Sequence, residues 1–315
     1  MFKIFSLKVI STLDKLPKQD TVVTIGTFDG VHIGHQKIIN RLINTGKQAH
    51  LKSVILTFFP HPRMVLQKDS SIKLINTIDE RRTILEGLGL DYLLIKKFTK
   101  DFSRLTAEDF VKEILVDTLH AKKVIIGYDH RFGRNRNADI NDLIKFGALY
   151  GFDVEEISAQ DIDDVSVSST KIRVALEEGD IDKANSYLGY NFMLTGTVVE
   201  GKALGRQIDY PTANIKIAED YKLIPKQGAY VVQSMIDGKP VFGMMNIGTN
   251  PTVEGKQESI EVHFFNFSKD IYGKGLQIAL LHRIRDEKKF ESVEALKEQL
   301  LKDKETSLSY LAEHF

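Results

Sequence analysis

The chain has 315 residues, of which 42% are hydrophobic and 27% are charged, a composition typical of a globular protein large enough for two domains. Lysine plus arginine and aspartate plus glutamate both number 43, so the formal net charge is zero and gives no general reason to expect nucleic acid or a membrane surface as a partner. No cysteine is present, which excludes disulfides, thiol nucleophiles and cysteine-ligated metals, and with no secretory pattern at the amino terminus we expect a cytoplasmic protein.

The first informative stretch is residues 21–35, TVVTIGTFDGVHIGH. A continuous apolar run predicts a buried central strand, which breaks at Gly26, and apolar residues recur at helical spacing from Ile33. A tight strand-to-helix loop of this kind directs backbone N–H groups at one point and favours a phosphate. His32 and His35 close the loop, where both imidazoles can donate hydrogen bonds to phosphate oxygens that gain charge during a reaction. Lone loop histidines would be read as solvent-facing, but the combination of glycines, an acid and two histidines favours a functional site.

Short apolar strands alternate with amphipathic helices up to about residue 187. We predict strands at 53–58, 92–95, 124–126 and 154–157, and helices at 81–88 and 110–119. Thr77 with Glu80, and Thr106 with Asp109, predict the two helix starts. This alternation predicts an α/β domain with an open parallel sheet, whose ligands bind at the carboxyl ends of the strands.

Three further loops follow strands in this domain. Residues 57–63, TFFPHPR, offer aromatic, histidine and arginine side chains for a flat ring or a phosphate, although a proline-rich turn without a ligand would look similar. Residues 127–136, GYDHRFGRNR, carry three arginines that either form a solvated face or hold phosphates. Residues 168–173, SSTKIR, either cap a helix or gather hydroxyls and cations at a second anion site.

From residue 188 the pattern changes to short alternating strands, predicted at 193–199, 229–236, 241–247, 259–267 and 276–284. Asp237-Gly238 is a two-residue hairpin signal. We therefore predict a small antiparallel β-barrel over residues 188–315, closed by a terminal helix that starts near Ser292.

The barrel contains a second group of candidate residues. Thr212 and Asn214 offer oxygen ligands suited to Mg²⁺ carried by a nucleotide. Glu261 lies between two apolar residues in a strand, so it is either a solvent-facing acid or a pocket carboxylate that accepts a proton from a substrate hydroxyl. No Walker P-loop, G-x-S-x-G, H-E-x-x-H or EF-hand pattern occurs, which removes support for the corresponding classes.

These motifs resemble the bifunctional bacterial riboflavin kinase and FMN adenylyltransferase family, also called FAD synthetase, over nearly the whole chain. The matching elements are GTFDGVHIGH, TFFPHP, GYDHRFG, SSTKIR, GRQIDYPTAN, NIGTNPT, IEVHFFNF, DIYGK and RIRDEKKF. The resemblance implies a Rossmann-like nucleotidyltransferase domain at 1–187 that converts FMN and ATP into FAD, and a riboflavin kinase barrel at 188–315 that converts riboflavin and ATP into FMN. The implied substrates are riboflavin, FMN and ATP with Mg²⁺, and neither nucleic acid nor a membrane is an expected partner.

The resemblance and the local patterns together predict the site residues. Predicted catalytic residues are His32, His35 and Glu261. We predict that ATP or its phosphates are bound by Gly26, Phe28, Asp29, Gly34, Ser169, Thr170, Arg173, Gly205 and Arg206. Flavin contacts are predicted at Pro60, His61, Asp129, Arg131, Asn246 and Arg285, and metal ligands at Thr212 and Asn214.

The chain departs from the family pattern at His130, at Asn137-Ala138 and at Asp209, where the kinase flap normally has glycine. An acid at 209 would repel ATP phosphates if it faced them. One alternative is therefore an FMN adenylyltransferase whose barrel binds flavin and is catalytically weak. A second alternative is a flavin-binding regulatory module, which leaves the two anion loops of the first domain unexplained.

Overall fold

The computed structural model describes residues 7–10, 18–67, 72–128, 130–158, 167–201, 205, 208, 210–252 and 255–315. The chain divides into two compact units, Met1–Ser169 and Thr170–Phe315. None of the helices in the described part of the chain combines the length and apolar composition that a bilayer span requires.

The first unit is built on a six-stranded sheet in the order β1-β4-β3-β2-β5-β6, and every neighbouring pair is parallel. This confirms the predicted open parallel sheet. Its strands are β1 Lys8–Ile10, β2 Thr21–Ile25, β3 Lys52–Phe59, β4 Tyr92–Lys97, β5 Ala121–Gly127 and β6 Asp153–Ile157.

Helices cover both faces of this sheet. They are α1 Ile33–Ala49, α2 Pro62–Leu66, α3 Ile78–Leu88, α4 Ala107–Asp109, which continues as π-helical turns over Phe110–Val116, and α5 Ile140–Tyr150. Alternate residues of β2 face opposite layers: Val22 packs with the α1 and α3 side, and Val23 with the α4 and α5 side. Burial on both faces explains why the strand reads as a continuous apolar run.

Because all strands are parallel, the carboxyl ends of β2, β3, β5 and β6 lie at one edge of the sheet. The chain order also reverses between β2 and β5, the type of position where α/β sheets bind ligands. The capping box predicted at Thr77 and Glu80 is confirmed, with Glu80 N donating to Thr77 Oγ1 at 3.1 Å.

The second unit contains the predicted closed barrel, in the strand order β10-β11-β8-β7-β12-β9. Its strands are β7 Met193–Val199, β8 Ala213–Lys216, β9 Gly228–Ile236, β10 Lys239–Thr252, β11 Gly255–Phe264 and β12 Gly275–Asp286. The hairpin between β9 and β10 turns at Asp237 and Gly238, whose φ angles of 51° and 74° are those of the predicted tight turn.

Three helices accompany the barrel: α6 Ser169–Glu178, α7 Ile181–Leu188 and α8 Val293–His314. The terminal helix starts where predicted, because Ser292 caps it by accepting from Ala295 N at 3.1 Å. In α7, Asn185 accepts from Phe192 N at 2.6 Å and donates to Leu280 O at 2.9 Å, which fastens the helix to the barrel.

The structure differs from the sequence predictions at several points, and helices α2, α5 and α7 were not predicted. Strands β1 and β8, of three and four residues, were not predicted because neither is long enough to show a period. The segment from Phe110 is π-helical where an α-helix was predicted. The compact units divide between Ser169 and Thr170, so α7 and most of α6 belong to the barrel unit. The functional boundary at 187/188 stays a prediction.

Candidate active sites

The loop that joins β2 to α1 has an unusual backbone. Phe28 and Val31 have φ angles of 47° and 35°, in the region that side chains rarely adopt, and Gly30 has a φ of 87°. Gly26 is needed for close packing, because a Cβ atom there would lie 3.0 Å from the Phe28 ring. The loop thus turns sharply enough to bring the start of α1 to the carboxyl edge of β2.

His32 and His35 stack against each other at this helix start. Their ring centroids are 3.6 Å apart at an interplanar angle of 18°. His32 is the N-cap of α1, and its Nδ1 accepts from the backbone N–H of His35 at 3.3 Å. A nitrogen that accepts carries no proton, so neutral His32 holds its proton on Nε2, which is therefore a donor. Gly34, between the two, is buried.

Both imidazoles are held in the neutral form. Burial lowers the pKa of His32 to about 4, although nearby Asp29 acts in the opposite direction. The pKa of His35 is lowered well below its ordinary value by burial, by His32 and by Arg81. Phe28 adds to the apolar surroundings, with its ring meeting that of His35 edge to face at 5.2 Å.

Asp29 is buried beneath the loop. Its carboxylate accepts from the backbone N–H groups of Ile75, at 3.0 Å, and Asn76, at 3.3 Å, and Arg81 lies 3.6 Å away. The side chain therefore holds the loop in place, and the predicted contact of Asp29 with ATP phosphates stays a prediction. Sequence reasoning missed Arg81, yet it lies three residues after Ile78 and four before Leu85, on the apolar stripe of α3.

The SSTKIR motif lies at the start of α6. Ser169 donates through Oγ to the carbonyl oxygen of Asp29 at 2.9 Å, a contact that lies within the first unit. Thr170 is exposed and Arg173 is partly buried. Their contact with ATP phosphates stays a prediction.

The loop after β3 follows a cis peptide bond between Phe59 and Pro60. His61 caps the short helix α2, where its Nδ1 accepts from Arg63 N at 3.2 Å. Arg131, in the loop after β5, is half exposed and lies 3.6 Å from Asp139. Asp129 lies outside the described residues. Flavin contacts at these positions stay predictions.

An aromatic cluster that the sequence analysis did not identify extends from the core on the α4 and α5 face of the sheet. Neighbouring ring centroids are 5.6 to 6.2 Å apart. Its members are Phe58, Phe98, Phe102, Phe110, Phe132 and His130. Phe58 and Phe102 are packed against the buried core residues Phe110 and Phe132, so the cluster contributes to the packing of this face.

In the barrel, three polar residues lie side by side on adjacent strands. Glu261 of β11 pairs with Asn246 of β10 on one side and with Asn214 of β8 on the other. Paired residues share a face, and the flanking residues Ile260 and Val262 are buried in the barrel interior. The polar row therefore lies on the outer face of the barrel, where Glu261 is partly exposed. Its role as a pocket carboxylate stays a prediction.

Thr212 completes this group, because its hydroxyl donates to Glu261 Oε2 at 3.2 Å. The segment before it comes close: a Cβ atom at Gly201 would lie 2.0 Å from Asn214 Nδ2, and one at Gly205 would lie 2.2 Å from the Tyr210 carbonyl oxygen. Glycine is required at Gly205, where the neighbouring atom is backbone, whereas a larger residue at Gly201 would displace the Asn214 side chain. Arg206 and Asp209 lie outside the described residues.

His263 fixes the other side of Thr212. Its Nδ1 lies 2.9 Å from the Pro211 carbonyl oxygen, which can only accept, so Nδ1 carries the proton. Its ring meets that of Tyr210 at 5.1 Å. His263 therefore holds the Tyr210–Thr212 segment over the β11 strand, a role that sequence reasoning missed although His263 follows Glu261 on the same face.

Arg285 is engaged within the protein. Its guanidinium forms a bidentate pair with Asp303 of α8, with Nε at 2.9 Å from Oδ1 and Nη2 at 2.6 Å from Oδ2. The pair joins the terminal helix to β12, and the Asp303 side chain is only 3% exposed. A flavin contact at Arg285 stays a prediction beside this structural role.

Two observations bear on other ligands. Among the described residues, no group of three or more His, Cys, Asp or Glu side chains is arranged to hold a metal ion. A surface cleft of about 720 Å³ beside α5, lined by Lys122, Gly147 and Phe152 among others, contains none of the predicted site residues. It lies where β5 and β6 begin, at the opposite edge of the sheet, and we assign it no part in catalysis.

Comparison with known proteins agrees with this geometry. Residues 14–171 match the FAD synthetase family model, and residues 188–311 match the riboflavin kinase model. Proteins named bifunctional riboflavin kinase/FMN adenylyltransferase from Escherichia coli K12, Listeria monocytogenes and Buchnera aphidicola of Schizaphis graminum are 35%, 37% and 38% identical. Each alignment covers 96% of this chain and 97%, 96% and 99% of the relative.

A solved structure from Streptococcus pneumoniae, described as a macrolide-efflux protein, is also similar. It aligns with a TM-score of 0.84 at 31% identity over 96% of this chain and 98% of that chain. The two family matches, and relatives at this identity over nearly the full length, place the chain: it belongs to the family of bifunctional riboflavin kinases and FMN adenylyltransferases.

Proposed function

We propose that the first unit of this chain joins FMN to the adenylyl group of ATP through the His32 and His35 loop, and that the barrel phosphorylates riboflavin through Glu261. The observation that carries this proposal is the presence of both arrangements in one chain: two stacked neutral imidazoles at the carboxyl edge of a parallel sheet, and Glu261 hydrogen-bonded to Thr212 on the barrel.

In adenylyl transfer, a phosphate oxygen of FMN forms a bond to the α-phosphorus of ATP, and the bond to the departing pyrophosphate breaks. His32 donates from Nε2 to a phosphate oxygen, and His35 stabilises the charge that develops beside it. The positive end of the α1 helix dipole favours the same anion. No covalent nucleophile is needed, since positioning and charge stabilisation carry most of phosphate transfer.

In riboflavin phosphorylation, Glu261 accepts the proton of the ribityl 5′-hydroxyl while that oxygen bonds to the γ-phosphorus of ATP and ADP leaves. The Thr212 hydroxyl, donating at 3.2 Å, orients the carboxylate for this proton transfer. Asn246 and Asn214, on either side of Glu261, are placed to contact substrate groups on the same face.

Mg²⁺ fits the barrel site as an ion that arrives with ATP. Thr212 and Asn214 offer the hard oxygen ligands that Mg²⁺ prefers, and an ion held mainly by phosphates and water needs few protein ligands. When bound, it neutralises phosphate charge.

The remaining site residues complete the proposal. We assign the binding of ATP or its phosphates to Gly26, Phe28, Asp29, Gly34, Ser169, Thr170, Arg173, Gly205 and Arg206. We assign flavin contacts to Pro60, His61, Asp129, Arg131, Asn246 and Arg285. We place the functional boundary at 187/188. Location in the cytoplasm, without nucleic acid or membrane as a partner, is part of the same proposal.

The experiment that tests the proposal is an incubation of the full chain with riboflavin, ATP and Mg²⁺, followed by separation of the flavins. We expect FMN first and FAD later. FAD that appears only from supplied FMN would favour an adenylyltransferase with a catalytically weak barrel. Bound but unchanged riboflavin and FMN would reject both activities.

A further inference from the structure

Arg81 is a buried cation beneath the histidine loop. Its side chain is 2% exposed, although arginine is rarely buried so completely unless it is paired. It lies on α3, outside every motif that defines the proposed sites. Its neighbour Arg82 is exposed.

The guanidinium joins three parts of the first unit. Nη1 donates to the Thr27 carbonyl oxygen at 2.7 Å and lies 3.4 Å from Thr57 Oγ1 at the end of β3. Nη2 lies 3.6 Å from Asp29 Oδ1. The planar fork of arginine can serve such a divided set of acceptors, which a lysine ammonium cannot match. The loop between Gly26 and His32 is thus held from below at Thr27 and at Asp29.

Arg81 also acts on the histidine pair through its charge. Together with burial and His32, it lowers the pKa of His35. Within the described residues, the titratable groups that lower the pKa of His35 are His32 and Arg81. Asp29 acts in the opposite direction, because it raises the pKa of His32. A fixed cation at this position favours imidazoles that donate to phosphate without carrying charge themselves.

We propose that Arg81 is a positioning residue for adenylyl transfer, which fixes the Thr27 to Asp29 loop and sets a permanent positive charge near the stacked histidines. This inference rests on the proposed function of the first unit. Arg81 is buried and acts through the loop and through His35.

The test uses the full chain with Arg81→Met, Arg81→Lys and, as a matched control on the exposed side of the same helix, Arg82→Met. The rate of FAD formation from FMN and ATP is measured between pH 5 and pH 9. Arg81→Met should reduce kcat by about 10- to 100-fold, the cost of a small displacement of reacting groups. It should also move the acid side of the pH profile to higher pH, because the repulsion that disfavours His35 protonation is gone.

Arg81→Lys separates the two effects. Lysine keeps the positive charge but lacks the planar guanidinium that reaches several acceptors. The kcat should therefore fall, while the decline of the rate at acid pH should stay at the same pH. Arg82→Met should match the unsubstituted chain in both. If Arg81→Met unfolds the first unit, Asp29→Asn/Arg81→Met removes both buried charges and is compared with Asp29→Asn alone, because the loss of Asp29 by itself lowers the pKa of His32. Relative to Asp29→Asn, the acid side of the profile should move to higher pH, since the repulsion between Arg81 and a protonated His35 is gone.

The inference would be overturned if Arg81→Met had the kcat and pH profile of Arg82→Met, or if the double variant had the pH profile of Asp29→Asn. A loss of rate with an unmoved pH profile in folded protein would overturn the electrostatic part and leave a purely structural role. Failure of the proposed function would give a distinct result, because the unsubstituted chain would then make no FAD. That result would reject the inference about Arg81 as well.

Discussion

The imidazole rings of His32 and His35 lie in stacked contact, with centroids 3.6 Å apart, at the first turn of α1. Two positive charges at this separation would repel each other strongly in a buried site. Burial and the neighbouring Arg81 act in the same direction on His35. The pair is therefore a neutral donor site at physiological pH, and this property leads to a prediction about stability.

The first unit should lose stability as the pH falls from about 6.5 to about 4. The pKa of His32 is about 4 in the folded protein and 6.5 ordinarily, so between these values the unfolded chain binds a proton that the folded chain does not. Protons then favour unfolding, at up to about 1.4 kcal/mol per pH unit for each such histidine. Calorimetric unfolding at several pH values measures this slope.

A His32→Gln/His35→Gln variant should show a smaller slope over the same pH range. The control is His50→Asn, which replaces an exposed histidine at the other end of α1, where its φ of 55° also suits asparagine. It should keep the slope of the unsubstituted chain. Equal slopes in all three proteins would contradict the burial of a neutral histidine pair.

Glu261→Gln should lower the rate of FMN formation by about 10²- to 10⁴-fold, the usual contribution of a general base. The amide keeps the size of the side chain and removes its ability to take the substrate proton. FAD formation from supplied FMN, a reaction of the other unit, reports the amount of active protein. An undiminished kinase rate would remove Glu261 as the base.

Gly201→Ala should slow the kinase without unfolding the barrel. The new Cβ would lie 2.0 Å from Asn214 Nδ2, so the Asn214 side chain must leave its place beside Glu261. Because a flexible side chain can move, we expect a change of less than about 1 kcal/mol in the free energy of unfolding. Gly275→Ala, which has no other atom within 4 Å of its Cβ position, is the matched control. Equal kinase rates in the two variants would contradict the close approach at Gly201.

Arg285→Met should destabilise the second unit by about 3 to 5 kcal/mol, because it leaves the buried Asp303 carboxylate without its partner. Arg285→Met/Asp303→Leu should recover much of this loss. Lys269→Met, which breaks the exposed pair with Asp237, should cost less than about 1 kcal/mol. An Arg285→Met protein with an unchanged unfolding midpoint and a raised KM for riboflavin would instead identify Arg285 as a flavin contact.

The histidine loop could be predicted from the sequence because a buried strand, a glycine break and a helical period all coincide between Thr21 and Ala49. Arg81 could not be assigned, since a charged residue in a helix is usually exposed and its partners Thr27 and Asp29 lie more than 50 residues away. The pairing of Arg285 with Asp303 could not be assigned either, because Asp303 lies on a helix, where a charged residue is usually exposed. Strand β8, which places Asn214 beside Glu261, could not be predicted, because four residues are too few to show the alternation of a strand.

The central claim is that one chain holds two independent sites, with adenylyl transfer at the histidine pair. The most direct measurement follows FMN and FAD over time when the His35→Ala protein is given riboflavin, ATP and Mg²⁺. The account predicts that FMN accumulates at the rate of the unsubstituted chain while FAD formation falls by at least about 10²-fold, as expected for a lost charge-stabilising donor. Undiminished FAD formation, or the loss of both products in a folded protein, would contradict it.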